Sequence, residues 1–254
     1  MIVDHGRLFI RGEVDKVSTE ALLDSGAEST IIDPILAAKA GITGGTATDV
    51  KGSGGAAPAR VVTGVTIKAL GVTLTDREIA VLNLSDVSTR LIKRPTMAIF
   101  GRELFDAARL RIDIERGAIE ALSANSMPAG QRLALTAHAG IESAPVKVNG
   151  ISAAADFDLG NGGDVLVSAA FAKRLRLKLL GAKAGGGIGG SIQRQQVRLA
   201  SLTIAGRTFR NVPAQVDPLA NAGEVNIGTS ILRQFVVTTD FGGHAIYLAP
   251  HKGH

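Results

Sequence analysis

Two short stretches decide the fold of this chain, Glu20-Ala-Leu-Leu-Asp-Ser-Gly-Ala27 and Ala154-Ala-Asp-Phe-Asp-Leu-Gly-Asn161. Each is an extended run that ends in Asp-x-Gly, at Asp24 in the first half of the chain and at Asp158 in the second. An apolar segment follows each aspartate at the same distance of eight residues, Ile31-Ile32 in one half and Val165-Leu166-Val167 in the other. Self-similarity of this kind indicates two copies of one structural unit.

Further features recur in the same order in both halves. Short helical patterns, Pro34-Ile-Leu-Ala-Ala-Lys39 and Ser168-Ala-Ala-Phe-Ala-Lys173, begin ten residues after their aspartates. Glycine-rich stretches follow, Gly52-Ser-Gly-Gly55 and Gly187-Ile-Gly-Gly190, starting 28 and 29 residues after the aspartates. The segments behind them alternate apolar and polar residues, which is typical of strands.

The pattern predicts an all-β protein of two homologous β-barrel lobes related by a pseudo-twofold axis, each with a short helix. A polar, turn-rich segment at 123–139 separates them, so we predict an N-terminal lobe at 1–122 and a C-terminal lobe at 140–254. The composition agrees with this fold, because 31 glycines suit tight hairpins. Only 4% of the residues are aromatic, so the core must consist mainly of aliphatic side chains.

Composition excludes several classes of function. The absence of cysteine rules out disulfides, thiol nucleophiles and Cys-ligated zinc. The net charge of +5 comes from scattered cations without stacking aromatics, so we expect no nucleic-acid partner. No signal peptide or membrane-spanning run is visible. The compartment stays open: periplasmic or secreted if a leader was removed, otherwise cytoplasmic.

The segment Leu22-Leu-Asp-Ser-Gly-Ala-Glu-Ser-Thr-Ile-Ile32 resembles the active-site signature of the retropepsin-like aspartic peptidases. Ile99-Phe-Gly-Arg-Glu-Leu104 is similar to a second hallmark of that family, and Ile227-Gly-Thr-Ser-Ile-Leu232 matches it less cleanly. The resemblance implies an acid protease fold and an aspartic endopeptidase with Asp24 and Asp158 as its catalytic pair. It also implies a peptide or protein substrate, no metal and no cofactor, and a monomer, since both lobes belong to one chain.

Paired carboxylates suit peptide hydrolysis for a chemical reason. The reaction needs an activated water and an acid for the leaving nitrogen, and two carboxyl groups that share one proton supply both. Like charges this close resist joint ionisation, so the two aspartates titrate as a coupled pair.

The resemblance assigns roles to the neighbouring residues. Ser25 would hydrogen-bond across the lobe interface. The residues expected to shape the active site are Ser25, Gly26, Ala27, Leu159, Gly160 and Asn161. Two glycine-rich flaps would cover an extended peptide; their residues are Gly52, Ser53, Gly54, Gly55, Gly187, Ile188, Gly189 and Gly190.

The second signature departs from the family pattern at Leu159, where a hydroxyl residue is expected, and at Asn161, where a small one is usual. These departures motivate an alternative, a catalytically weakened or inactive module that binds extended peptides. The half-to-half offsets favour Asp158 over the nearby Asp156 as the catalytic group. Asp113 and Asp240, at matching positions late in each half, are expected to be turn residues.

Other interpretations of the same residues are weaker. An isolated Asp-Ser-Gly is usually a turn, and only the repeat argues for more. Gly185-Gly-Gly-Ile-Gly-Gly190 formally fits a dinucleotide-binding fingerprint, but we expect a helix before it and a strand after it, the reverse of that motif. A glycoside hydrolase also uses two carboxylates, yet it would not explain the duplicated signature.

Overall fold

The computed structural model describes residues 1–123, 125–138, 140–219 and 222–251. Positions 124 and 139 of the predicted connection, and positions 220, 221 and 252–254 of the predicted C-terminal lobe, lie outside the described residues.

Strands dominate both halves of the chain. The N-terminal half contains β1 (Ile2–Asp4), β2 (Arg7–Val14), β3 (Val17–Leu23), β4 (Ile31–Ile32), α1 (Pro34–Lys39), β5 (Thr46–Gly52), β6 (Gly55–Ala69), β7 (Val72–Val81), α2 (Ser85–Val87), a π-helical turn (Ser88–Ile92), β8 (Ala98–Phe100), α3 (Glu103–Ala107), β9 (Leu110–Asp113) and β10 (Ala118–Ala121). The rest contains β11 (Gln131–Ala134), β12 (Thr136–His138), β13 (Ile141–Val148), β14 (Ile151–Phe157), β15 (Val165–Ser168), α4 (Ala169–Arg174), β16 (Gly181–Gly187), β17 (Gly190–Ile204), β18 (Arg207–Asp217), β19 (Val225–Ile227), α5 (Thr229–Leu232), β20 (Phe235–Asp240) and β21 (Ala245–Pro250).

Two eight-stranded sheets have the same topology. The first has the order β1-β2-β3-β8-β4-β7-β6-β5 and the second the order β12-β13-β14-β19-β15-β18-β17-β16. The unusual parallel pairs also recur, since β3 lies parallel to β8 and β14 lies parallel to β19. The prediction of an all-β fold with two similar lobes is confirmed.

A third sheet joins the two halves, in the order β10-β9-β20-β21-β11. Its central pairing, β9 with β20, aligns Ile112 with Val237, and both side chains are fully buried. β11 comes from the segment predicted as a turn-rich connection and pairs with β21. Leu133 and Leu135 in this segment are buried, which is the alternation of a strand. The surrounding polar residues made this short pattern hard to recognise in the sequence.

Local sequence explains the turns and caps of both lobes. The β13–β14 hairpin turns through Asn149 and Gly150, both at positive φ, as a two-residue hairpin requires. Helix α1 begins after Asp33, whose Oδ1 accepts a hydrogen bond from the Ile35 N–H, and has proline at its first position. Helix α4 begins after Ser168, whose Oγ accepts from the Phe171 N–H.

One large core connects the two lobes. Phe105 of the first lobe stacks on Phe241 at a centroid distance of 5.3 Å, and Phe157 packs edge-on against Phe241 at 6.2 Å. These rings belong to the same buried cluster as the cores of both eight-stranded sheets. The lobes are therefore held in a defined relation by packing as well as by the joining sheet. No helix in the described part of the chain is long and apolar enough to cross a membrane.

Candidate active site

Asp24 and Asp158 occupy equivalent positions just beyond the ends of β3 and β14. The Asp24 N–H donates to the carbonyl oxygen of Phe100, and the Asp158 N–H donates to that of Ile227, both at 3.0 Å. The parallel neighbours β8 and β19 thus position the two aspartates in the same way. Because the lobes face each other, this equivalence directs both aspartates to the interface between them.

The two carboxyl groups converge there, each beside the glycine of the other signature. A Cβ built on Gly26 would lie 3.1 Å from the Asp158 carboxyl carbon, and one built on Gly160 would overlap the Asp24 carboxyl group. Glycine at both positions is therefore required by the close approach of the opposite carboxyl group. The residues predicted as a pair from their spacing are brought together in space.

The hydrogen bonds to the two carboxyl groups differ. The Gly26 N–H donates to Asp24 Oδ1 at 2.8 Å. Asp158 accepts at both oxygens, from the Asn161 N–H at 3.0 Å and from the Asn226 side-chain amide at 2.8 Å. The ionised form of Asp158 therefore has the better set of donors.

Burial raises the pKa values of both groups, and the charge of Asp158 raises that of Asp24 further. Burial, followed by the charge of Asp158, raises the pKa of Asp24 to about 7. Burial also raises the pKa of Asp158, and the Asn226 amide opposes that rise. With pKa values raised in this way, the pair still holds a proton at mildly acidic pH, where isolated aspartates are ionised.

Ser25 connects the lobes at the base of the site. Its Oγ donates to the Phe157 carbonyl oxygen at 2.9 Å and accepts from the Leu159 N–H at 3.0 Å. Leu159 takes part through its backbone, and its side chain is fully buried in the core. The contact is one-sided, because Leu159 has no hydroxyl to make the reciprocal pair of bonds.

The two glycine-rich hairpins meet at their tips. The Gly54 N–H donates to the Ile188 carbonyl oxygen at 3.0 Å, and a Cβ on Gly54 would overlap the Gly190 carbonyl oxygen. Ile188 packs against the apolar cluster that also contacts Ala27, next to the aspartates. Arg90, in the π-helical turn, donates to the Gly187 carbonyl oxygen at 2.8 Å and so attaches the second hairpin to the first lobe.

Arg7 is a site residue that sequence analysis did not single out. It is 8% exposed, and burial lowers its pKa while the charges of Asp158 and Asp24 raise it. No carboxylate of the described residues lies within 4.0 Å of its guanidinium group, which donates only to the His5 carbonyl oxygen, at 3.4 Å. An alignment of the two halves could have revealed it. Arg7 stands 17 residues before Asp24, and the position 17 residues before Asp158 holds the apolar Ile141, so the arginine departs from the repeat.

The other candidate aspartates lie elsewhere. Asp156 accepts a 2.6 Å hydrogen bond from Ser143 Oγ inside the second lobe. Asp113 and Asp240 end β9 and β20, and each accepts a backbone hydrogen bond from the turn that follows. Their role as turn residues agrees with the prediction. The glycine run at 185–190 forms a strand-to-strand hairpin, which is not the context of a dinucleotide site.

Two other kinds of site are relevant in the described part of the chain, a metal cluster and a cavity. Among the described residues, no group of three or more His, Asp or Glu side chains could hold a metal ion. A cavity of about 590 Å³ lies on the first lobe, lined by residues such as Gly12, Thr19 and Lys68, and contains neither aspartate.

Comparison with known proteins agrees with the geometry. A family model described as "Aspartyl protease" matches residues 10–104 and 144–231, one match in each lobe and together more than half of the chain. A solved structure, a retropepsin-like aspartic protease from Rickettsia conorii, is 19% identical, with a TM-score of 0.36 over 48% of this chain and 95% of that one. No curated protein matches. With one family match in each of its two lobes, the chain belongs to the aspartyl protease family.

Proposed function

We propose that this protein is an aspartic endopeptidase that hydrolyses peptide bonds with a water molecule activated between Asp24 and Asp158. The observation that carries the proposal is the convergence of these two half-buried carboxyl groups, one from each lobe, with raised pKa values. Family membership supports the same reaction class.

The hydrogen bonds suggest how the two aspartates divide the work. Asp158, with donors at both oxygens, is the carboxylate that takes a proton from water. Asp24, with its pKa raised to about 7, holds the shared proton and gives it to the substrate carbonyl oxygen as water attacks the carbon. Asp158 then returns its proton to the leaving nitrogen while Asp24 recovers a proton from the hydroxyl, and the C–N bond breaks. No covalent intermediate is needed.

The flaps give the substrate its conformation. An extended peptide beneath the Gly52–Gly55 and Gly187–Gly190 tips can hydrogen-bond through its backbone as an added strand, with its side chains in alternate pockets. The flap tips contact each other, so they must separate to admit a chain. Both aspartates come from one chain, and we propose that the protein acts as a monomer.

Leu159 does not argue strongly for the inactive alternative. The interlobe hydrogen bond at this position uses its backbone N–H, which any residue except proline supplies. Ser25 of the first lobe therefore still connects the two signatures without a hydroxyl from the second lobe. Hydrolysis stays the better proposal.

The test is cleavage of an unstructured protein between about pH 3 and 7, followed by mass spectrometry, for wild type, Asp24→Asn and Asp158→Asn. Asp76→Asn is the matched control, since Asp76 is exposed on β7. We expect both dyad variants to lose more than about 10³-fold in kcat/KM while the control is unchanged. Undiminished hydrolysis in either dyad variant rules out the mechanism. Saturable peptide binding without turnover by wild type would instead support the binding module.

A further inference from the structure

An apolar cluster lies in the first lobe beside the dyad. We call it the N-lobe cluster; its buried members are Phe9, Leu22, Ile31, Ala80, Leu82, Leu84, Val87, Ile92 and Ile99. Ala27, next to the Asp24 signature, and Ile188, at the tip of the opposite flap, pack against it. A cluster between the dyad and a flap tip is where a substrate side chain next to the scissile bond would bind.

The matching topology of the two sheets gives five of these positions, and Ala59 packed beside them, a polar counterpart in the second lobe, whereas the counterpart of Ile31 is the apolar Leu166. Leu22 pairs with Ile99 in β3–β8, as Asp156 pairs with Asn226 in β14–β19. The registers of β2–β3, β5–β6 and β6–β7 match those of β13–β14, β16–β17 and β17–β18 in the same way. Ser143, Asp156, Arg194, Gln215, Asp217 and Asn226 thereby stand where the first lobe has Phe9, Leu22, Ala59, Ala80, Leu82 and Ile99. We call these six residues the C-lobe cluster.

All six members of the C-lobe cluster are polar, although five of them are at most 6% exposed. Arg194 pairs with Asp217 at 3.1 Å. Asn226 connects the cluster to the dyad through its hydrogen bond to Asp158. Buried polar residues are costly unless they are paired, so a cluster of them at a substrate-facing position needs a reason.

Two of its polar atoms have no partner among the described residues, Nε of Arg194 and Oε1 of Gln215. Both side chains are 6% exposed. They project from the adjacent antiparallel strands β17 and β18, at diagonal positions on one face. One atom is a donor and the other is an acceptor, and together they match a primary carboxamide, which offers one acceptor and two donors.

Charge favours the same ligand. Asp217 already neutralises Arg194, so a carboxylate ligand would leave Gln215 Oε1 without a donor, and an ammonium group would meet the Arg194 charge. Gly185 lies over Arg194, where a Cβ would come within 3.0 Å of Nη1. The first lobe has Val50 at that position, packed on the N-lobe cluster. The glycine of the second flap therefore accommodates the Arg194 guanidinium, in the place where the first flap has the Val50 side chain.

We propose that the cleft selects residues of opposite polarity on the two sides of the scissile bond: an apolar residue against the N-lobe cluster, and an asparagine or glutamine side chain against the C-lobe cluster. The inference rests on the proposed peptidase function. Arg194 lies on β17, which carries the second flap, and Gln215 lies on the neighbouring strand β18, so the proposal requires that opening of the flap exposes both unpartnered atoms.

The test is cleavage-site profiling with a peptide library and mass spectrometry. For wild type we expect apolar residues to be enriched on one side of the cleaved bond and Asn or Gln to be enriched about tenfold on the other. The variant Gln215→Ala, which installs the residue of the first lobe, should lose that amide preference about tenfold. Gln195→Ala is the matched control, because Gln195 is exposed on the neighbouring strand β17. A second variant, Gly185→Val with Arg194→Ala, Gln215→Ala and Asp217→Leu, should convert the preference to apolar on both sides.

The outcomes separate this inference from the peptidase proposal. Cleavage with equal apolar preference on both sides, or an amide preference that survives both variants, overturns the inference and leaves the peptidase intact. If wild type cleaves nothing, the peptidase proposal fails, and the library is instead captured on immobilised Asp24→Asn protein. Retention of Asn- or Gln-containing peptides that Gln215→Ala abolishes supports the polar subsite, and indifference to Gln215→Ala overturns it. Thermal unfolding of each variant identifies any that has lost its fold.

Discussion

Replacing Asp24 with asparagine should stabilise this protein more at neutral pH than at acidic pH. Asparagine has nearly the same shape as aspartate but does not titrate. The pKa of Asp24 is raised from an ordinary value of 3.8 to about 7, by burial first and by the charge of Asp158 second. The folded state therefore holds this proton more tightly than the unfolded chain does.

The sign of the effect follows from that difference. Below about pH 4 the Asp24 carboxyl group is protonated in both the folded and the unfolded state, so its raised pKa does not lower the free energy of unfolding. As the pH rises from about 4 to 7 the unfolded chain releases the proton easily and the folded protein does not, so wild-type stability falls across this window and then levels off. About three pKa units, at about 1.4 kcal/mol each, correspond to about 4 kcal/mol. Asp24 keeps some contact with the cleft, and screening there makes this value an upper bound.

The assay is thermal unfolding of wild type and Asp24→Asn from pH 4 to pH 8. At about 2 to 4 °C per kcal/mol for a chain of this size, the Tm difference between the two proteins should widen by up to about 8 to 16 °C across the window. Asp76→Asn, at an exposed site, should follow wild type at every pH. Parallel Tm curves for wild type and Asp24→Asn would refute the raised pKa and the description of the site that depends on it.

Three further perturbations test other parts of the site. Ser25→Ala leaves the Phe157 carbonyl and the Leu159 N–H unpaired in a buried place, so urea titration should show that the free energy of unfolding falls by about 2 kcal/mol or more. Ser25→Thr, which keeps the hydroxyl, should lose much less. Gly54→Val places a side chain against the opposite flap, and kcat/KM should fall by about 10²-fold with little change in Tm; full activity would show that the flap tips need not meet. Arg7→Met removes a buried cation that lowers the pKa values of both aspartates, so the pH–activity curve should move to higher pH, and an unmoved curve would contradict that coupling.

The sequence by itself determined the features that depend on spacing along the chain. The duplicated Asp-x-Gly stretches, the helical patterns after them and the glycine runs at 28 and 29 residues predicted two similar β lobes. That prediction is confirmed, because each repeat folds into a sheet of the same strand order. It also named Asp24 and Asp158 as a pair, because each stands at the same place in its repeat, at the Asp-x-Gly stretch that resembles the signature of aspartic peptidases. The strand β11 was missed because only two leucines mark it within a polar segment.

Only the tertiary structure decided what surrounds that pair. Arg7 and Asn226 reach the dyad from β2 and β19, far from either signature in sequence, so no local pattern identified them. The loss of a hydroxyl at Leu159 is visible in the sequence, but the hydrogen bond from its backbone N–H to Ser25 is not. The polarity difference between the N-lobe cluster and the C-lobe cluster likewise emerged from strand register, which aligns Gln215 with Ala80 and Arg194 with Ala59. Spacing along the chain constrains which units repeat, whereas charge, hydrogen bonding and burial depend on neighbours that folding brings together.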